Sequence, residues 1–288
     1  MKRIALVTDS NAGILPEDVT DRDIFILPMP FLIDGKEYFE NINLRQDEFF
    51  EILEGGAEVS TSQPSIMSVT ELWDTILKDY ETIIHVPMSS GLSASCDTAT
   101  MLAKEYNGRV VVVNNQRISI TLKQSVLDAE NMIKDGKSVQ EIVDFLTETK
   151  LDSSIYIMVP NLKYLKKGGR ITPAAAAIGT LLNIKPVLQI QGGKLEPYAK
   201  VMSIKQANKA MINAIKNDIE TRFKRYADDK KLKLYITYSK DNEAAEQFRT
   251  QVEKELEGMF IEFIDPLSLS VACHIGPGAL CLACARVY

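Results

Sequence analysis

At 288 residues the chain has room for two domains of about 140 residues each. Apolar residues make up 45% and charged residues 25%, values that exclude a disordered, collagenous or disulfide-scaffold protein. With 39 acidic against 33 basic residues the formal net charge is -6, so the surface as a whole repels phosphate backbones and no nucleic-acid partner is expected.

The first apolar run, residues 4–7, holds only four apolar residues before the polar turn Thr8-Asp9-Ser10, and reads as a strand rather than a signal peptide. Further strands are predicted at Ile24–Leu27, Thr82–Val86, 110–113 and 155–159. Between them Ile66, Val69, Trp73, Ile76, Leu77 and Tyr80 recur at helical spacing, as do Ile142, Phe145 and Leu146. Strands alternating with helices predict a mainly parallel α/β/α domain over residues 1–152.

The second half reads as α+β, residues 153–288. Segments 184–191 and 194–201 form a predicted hairpin about Gly192-Gly193. A long helix over 204–226 follows. Strands Leu232–Tyr238 and 260–264 flank a helix over 243–256, and the last run is 279–287. The boundary falls at 151–154 without a Pro/Ser/Gly linker, which predicts an extensive interface between the domains. No window offers about 18 uninterrupted apolar residues, so no membrane span is expected. Together with four cysteines too few and too bunched for a disulfide framework, this predicts a soluble cytoplasmic protein.

Three strand-to-helix turns are rich in hydroxyls: Thr8-Asp9-Ser10, Thr61-Ser62-Gln63-Pro64-Ser65 and Ser89-Ser90-Gly91-Leu92-Ser93-Ala94-Ser95. The carboxyl ends of strands in an open α/β sheet share one edge, so these loops are expected to cluster there. Each has a plain reading as a helix N-cap. Three on one edge also suit a small anion, which helix-start N–H groups favour.

Gly91-Leu92-Ser93-Ala94-Ser95 approaches the Gly-x-Ser-x-Gly nucleophile elbow but lacks the closing glycine. A hydrolase also needs a base, and the chain has two histidines. His85 lies in an apolar run and reads as a satisfied core histidine. His274 opens the glycine-rich turn His274-Ile275-Gly276-Pro277-Gly278-Ala279 beyond the last helix, so a serine esterase or acyltransferase using Ser93 and His274 is the alternative function. Cys281-Leu282-Ala283-Cys284 sits in a small apolar run, where cysteine acts as a buried hydrophobe rather than a zinc or redox ligand. Neither a Walker A sequence nor a Gly-x-Gly-x-x-Gly loop after a strand occurs, and no cofactor or metal is expected. Lys163, Lys166 and Lys167 lead into Gly168-Gly169, a turn that aims Arg170 at an acidic group. The stretch from Arg222 to Lys233 is interleaved with Asp228 and Asp229 and reads as surface.

Taken in order, Thr8-Asp9-Ser10, Thr61-Ser62-Gln63-Pro64-Ser65, Ser89-Ser90-Gly91-Leu92-Ser93, Gly168-Gly169-Arg170-Ile171, Ile184-Lys185-Pro186 and His274-Ile275-Gly276-Pro277-Gly278-Ala279 resemble the motifs of the DegV family across essentially the whole chain. The resemblance implies a two-domain α/β protein with one long-chain fatty acid held in a buried tunnel between the domains. It implies a carrier without catalysis of its own. The carrier presents the carboxylate to a separate fatty acid kinase subunit, which makes an acyl phosphate for phospholipid synthesis, and any membrane contact is transient. Carried over, Thr61, Ser62, Ser93 and Ala94 would bind the carboxylate, assisted by backbone N–H groups after Gly91. His274 joins this set and Arg170 lies near the headgroup. The sequence departs from the family pattern at Ala94-Ser95, where Gly-Thr is usual, at Asn114-Asn115, where Asp-Ser is more frequent, and at Met202. The family often carries Arg at that last position, and its loss weakens a basic surface near the tunnel mouth.

Overall fold

The computed structural model describes residues 3–160, 162–174 and 184–288, so Met1 and Lys2, ahead of the first predicted strand, lie outside it. Ile4–Asp9 (β1) is buried along its whole length, and a run with no exposed face belongs inside a sheet covered on both sides. It pairs in parallel with Ile24–Leu27 (β2) and Thr82–Val86 (β6), and Val110–Val112 (β7) adds to β6. The alternation of a strand sends Ala5 and Val7 to one face, where Val69, Trp73 and Ile76 of Ile66–Ile76 (α2) and Ala99 of Ser95–Ala103 (α3) meet them. Ile4 and Leu6 face the other way, toward Leu122, Val126 and Ala129 of Ser119–Lys134 (α4).

A second sheet has the strand order β10-β9-β8-β13-β11-β12. Its strands are Ser153–Met158 (β8), Lys185–Ile190 (β9), Glu196–Val201 (β10), Leu232–Tyr238 (β11), Ile261–Pro266 (β12) and Leu280–Arg286 (β13). All neighbours are antiparallel except β11 and β12. Ile204–Glu220 (α7) and Asn242–Glu255 (α9) cover one face through Met211, Ile215, Phe248 and Val252. The other face turns toward the first sheet, and α4 packs between the two. One apolar cluster accordingly joins Leu6 and Ile84 of the first sheet to Ile157, Tyr235 and Cys281 of the second.

A small antiparallel sheet, Lys36–Phe39 (β4), Pro30–Ile33 (β3) and Val59–Thr61 (β5), was not expected from the sequence, nor was Gln46–Glu54 (α1) beside it. Phe31, Phe49, Phe50 and Val59 of this unit pack on Leu269, Ala272 and Cys273 of Leu269–Ile275 (α10). The N-terminal half thus holds the helix that carries His274. Glu40 fastens it further, its Oε2 accepting the Leu269 N–H at 2.9 Å.

Three expectations need correction. His274 does not lie in a turn beyond the last helix but in the final turn of α10. The helix predicted over 204–226 ends at Glu220 and resumes at Lys224–Asp228 (α8). Thr221 Oγ1 donates to the Asn217 carbonyl at 2.6 Å, and the break turns Phe223 into the core. Arg222 is not plain surface either, since it donates to Ser154 Oγ at 2.8 Å and to the Leu151 carbonyl at 3.1 Å.

Candidate functional site

A cavity of about 220 Å³ lies between the two sheets. That is far beyond the ~10–15 Å³ needed to seat one water. Its wall is mainly aliphatic, with Ile118, Ile120, Ile155, Ile157, Ile190 and Leu195 among its members. The polar residues singled out from the sequence, Thr61, Ser62, Ser93, Ala94, Arg170 and His274, all line it.

The geometry of this polar group follows from its supports. Thr61 ends β5, His274 sits in α10 packed on the same sheet, and Thr61 Oγ1 lies 2.7 Å from His274 Nε2. Burial, with the Arg170 charge adding to it, lowers the imidazole pKa to about 4, so His274 is neutral at physiological pH. Nδ1 of the ring faces Gly168, where an added Cβ would stand only 2.0 Å away. Glycine at 168 is therefore what admits the ring.

Arg170 donates from Nε to the Leu92 carbonyl at 3.4 Å and from Nη1 to the Gly168 carbonyl at 2.5 Å. These partners orient the guanidinium without neutralising it. Among the described residues no carboxylate lies within ion-pair distance of Arg170.

The serine-rich loop is self-braced. The Ser89 carbonyl accepts from the N–H groups of Leu92 and Ser93, Ser89 Oγ accepts from Gly91, and Ser93 Oγ accepts from Ser95 at 3.2 Å. Most of the N–H groups expected to assist a ligand are thereby spent inside the loop. Within residues 92–95 that of Ala94 is left without a partner among the described residues. The hairpin tip sits directly on this loop, since a Cβ on Gly91 would lie 2.2 Å from the Gly193 carbonyl oxygen. Only glycine at 91 allows the two backbones to meet.

Among the described residues no hydrogen bond joins Ser93 to His274, so the serine-hydrolase arrangement is not formed there. His274 Nε2 engages Thr61, while Ser93 Oγ accepts a hydrogen bond from Ser95. A nucleophilic serine must give its proton to the base, and here it is Thr61 that engages the base.

The Thr8-Asp9-Ser10 motif braces the site from behind. Thr8 Oγ1 donates to the Val86 carbonyl, Asp9 accepts from the N–H groups of Asn11 and Met88, and Ser10 Oγ accepts from Met29 N–H. The loops after β1, β2 and β6 are thus tied together, and Met29 and Met88 are set into the cavity wall. Burial raises the Asp9 pKa to about 6. His85 is buried as expected and lowered to about 3, but it is not satisfied, for neither ring nitrogen has a hydrogen-bond partner among the described residues. Cys281 also lines the cavity, and burial raises its thiol pKa to about 12, so it acts there as an apolar group. Among the described residues no cluster of side chains is arranged for a metal.

Sequence reasoning missed the polar residues Asn11, Ser119, Thr237 and Ser270 in the wall. Asn11 Oδ1 accepts from the hydroxyls of Ser268 and Ser270, joining the first turn to α10. Only its place directly after Thr8-Asp9-Ser10 hints at this in the sequence. Among the described residues no helix is long and apolar enough to cross a membrane.

Comparison with known proteins agrees with the fold. A structure of a fatty-acid-binding DegV family protein from Thermus thermophilus superposes with a TM-score of 0.88 at 30% identity, covering 99% of this chain and 100% of that one. A fatty-acid-binding DegV family protein from Streptococcus agalactiae gives a TM-score of 0.88 at 28% identity, with 100% of both chains covered. A DegV domain-containing protein of Caldanaerobacter subterraneus subsp. tengcongensis is 31% identical over 220 residues, 75% of this chain and 78% of the relative. The family model described as "Uncharacterised protein, DegV family" matches residues 3–286, and the chain belongs to the DegV family.

Proposed function

We propose that this protein is a cytoplasmic carrier that holds one long-chain fatty acid in the cavity between its sheets and presents the carboxylate to a separate fatty acid kinase subunit. The observation that carries this reading is the convergence of Thr61, Ser62, Ser93, Ala94, Arg170 and His274 on one mainly aliphatic cavity. A carboxylate leaving water needs several donors in exchange. The hydroxyls of Thr61 and Ser93, the Ala94 N–H and the nearby guanidinium are of the right kind. The tail supplies affinity: about 15 methylenes at ~0.8 kcal/mol each give roughly 12 kcal/mol before the cost of association. The fatty-acid binding named for the Thermus and Streptococcus relatives supports the same ligand.

The neutral state of His274 matters for Thr61. A threonine has one hydroxyl proton. For that proton to reach the ligand, His274 must carry its own proton on Nε2 and donate it to Thr61 Oγ1. In the kinase reaction a carboxylate oxygen attacks the terminal phosphorus of a nucleoside triphosphate, the bridging P–O bond breaks, and acyl phosphate and nucleoside diphosphate form.

Extraction of the purified protein followed by gas chromatography tests the ligand, and the expected result is a stoichiometric long-chain fatty acid. Thr61→Ala and Ser93→Ala are each expected to weaken oleate binding by about 1–3 kcal/mol. A protein that carries no lipid and binds neither palmitate nor oleate overturns the proposal. Oleate, ATP and a fatty acid kinase catalytic subunit should together give acyl phosphate, trapped as the hydroxamate. Product without this protein at equal rate would refute the carrier role.

A further inference from the structure

A second cavity, of about 440 Å³, adjoins the Thr61–His274 contact. Thr61, Arg170 and His274 belong to both walls. The two spaces therefore share the very side chains that converge on the proposed carboxylate position.

The character of the second wall is different. It is lined by Lys163, Lys167 and Arg170, with Ser60 and Tyr164 beside them, and Glu58 is its acidic member. Lys163 and Lys167 are four apart on the single helix Lys163–Gly168 (α6), so they lie on one face of it. The Lys167–Glu58 pair is 3.4 Å apart with both side chains more than half exposed, a contact that water and salt weaken and an incoming anion can displace. Arg170 is oriented by backbone carbonyls alone among its described hydrogen bonds. On a chain of net charge -6 this is a local concentration of positive charge in a recess, which draws anions far more strongly than the protein's overall charge would suggest.

We infer that this second cavity is a binding site for a phosphate group, held by Lys163, Lys167 and Arg170 next to the fatty-acid carboxylate. The inference rests on the carrier reading for its purpose but on its own residues for its chemistry. Three cationic side chains and one carboxylate among the described lining residues suit a multiply charged oxyanion rather than a second carboxylate, whose tail would find no comparable aliphatic wall here. The same chemistry is offered by free phosphate and by the terminal phosphoryl group of a nucleotide.

The test is titration of inorganic phosphate into oleate-loaded protein, followed by calorimetry and by 31P line width. Saturable binding is expected. The double substitution Lys163→Gln with Lys167→Glu should weaken it by about tenfold or more, the loss of at least one charge-assisted hydrogen bond. These lysines line the second cavity only, so oleate affinity should stay within about twofold of wild type, which also shows that the variant is folded. Competition by ATP would identify a nucleotide's phosphoryl group as an occupant, and binding of phosphate without such competition would identify the free or acyl-bound group. Absence of saturable phosphate binding, or equal binding by the double variant, overturns the inference. Failure of the wild-type protein to bind oleate would refute the carrier reading instead, leaving the phosphate result to be judged on its own residues.

Discussion

Gly168→Ala isolates the arrangement of His274 from the stability of the fold. An added Cβ would stand 2.0 Å from His274 Nδ1, 2.9 Å from Cε1 and 3.1 Å from Cγ. Restoring contact at about 3.5 Å requires the ring to retreat by roughly 1.5 Å. The Thr61 Oγ1 to His274 Nε2 distance is 2.7 Å, and a retreat of that size ends the hydrogen bond. The backbone itself accepts alanine, because Gly168 closes α6 and is not among the residues with positive φ. Alanine inside a helix gains up to about 1 kcal/mol over glycine. The helix gain offsets part of the lost hydrogen bond and the displaced ring, so folding stability should fall by no more than about 2 kcal/mol, whereas oleate binding loses an organised hydroxyl and weakens by about 1.4 kcal/mol, roughly tenfold. Calorimetric titration measures the second quantity and urea unfolding the first. The chain has only two histidines, so the His274 ring proton can be followed by NMR. In wild type it should titrate near 4, and in the variant it should move toward the ordinary value of about 6.5. An unchanged oleate affinity, with His274 still titrating near 4, would refute the reasoning.

Two further substitutions and one pH series probe the supports of the site. Gly91→Ser drives a Cβ to within 2.2 Å of the Gly193 carbonyl oxygen, backbone against backbone, so the hairpin must lift, and a cost of about 2–3 kcal/mol in urea unfolding is expected. A loss under 0.5 kcal/mol would show that the tip moves away freely. Buried Arg117 donates to Ser125 Oγ at 3.1 Å and to the Thr149 carbonyl at 2.6 Å, and its charge faces Asp128. Arg117→Met leaves the carbonyl and the carboxylate behind, at about 3 kcal/mol. A variant as stable as wild type would contradict that. His85 has a folded pKa of about 3 against about 6.5 when unfolded, so its contribution is whole above 6.5 and is lost as pH falls toward 3. His85→Leu removes two unpartnered ring nitrogens and should gain on wild type by about 1.4 kcal/mol for each pH unit between 6 and 4. A stability difference independent of pH in that window would show that His85 is not held neutral.

Much of the architecture is readable where one physical signal dominates. β1, β2 and β6 are short apolar runs bounded by polar turns, and the hairpin is marked by Gly192-Gly193 between two extended segments that pair from Val201 with Lys185 to Glu196 with Gln189. Helix α4 escapes the same reading because it is buried on nearly every side. Its polar residues Thr121, Gln124, Ser125 and Asp128 are as enclosed as Leu122 and Val126, so no amphipathic stripe survives. Position between two sheets is a property of the partners, and the sequence of the helix alone does not carry it. Strands β3, β4 and β5 are three or four residues long, too short for their alternation to stand out.

The site divides along the same line. Hydroxyls and glycines in strand-to-helix turns announce themselves because a loop with so little apolar character has few reasons to be ordered except to cap or to bind. Thr61, Ser93 and His274 stand out in this way, although they are 32 and 181 residues apart in sequence order. Asn11, Thr237 and Ser270 do not, since each gains its place in the wall only through packing against elements distant in sequence. The aliphatic wall is harder still. Ile118, Ile155, Ile157 and Leu195 have the composition of any core, and nothing local separates a residue that fills space from one that surrounds it. What leaves the space open is the bracing around it: Asp9, Ser10 and Thr8 tie three loops together, Arg222 reaches from the second half to the Leu151 carbonyl of the first, and Gly91 meets Gly193. A chain that spends its buried polar contacts on holding two sheets at a fixed separation resists collapse of the gap between them, and an aliphatic ligand then gains the burial that a filled core would otherwise have taken.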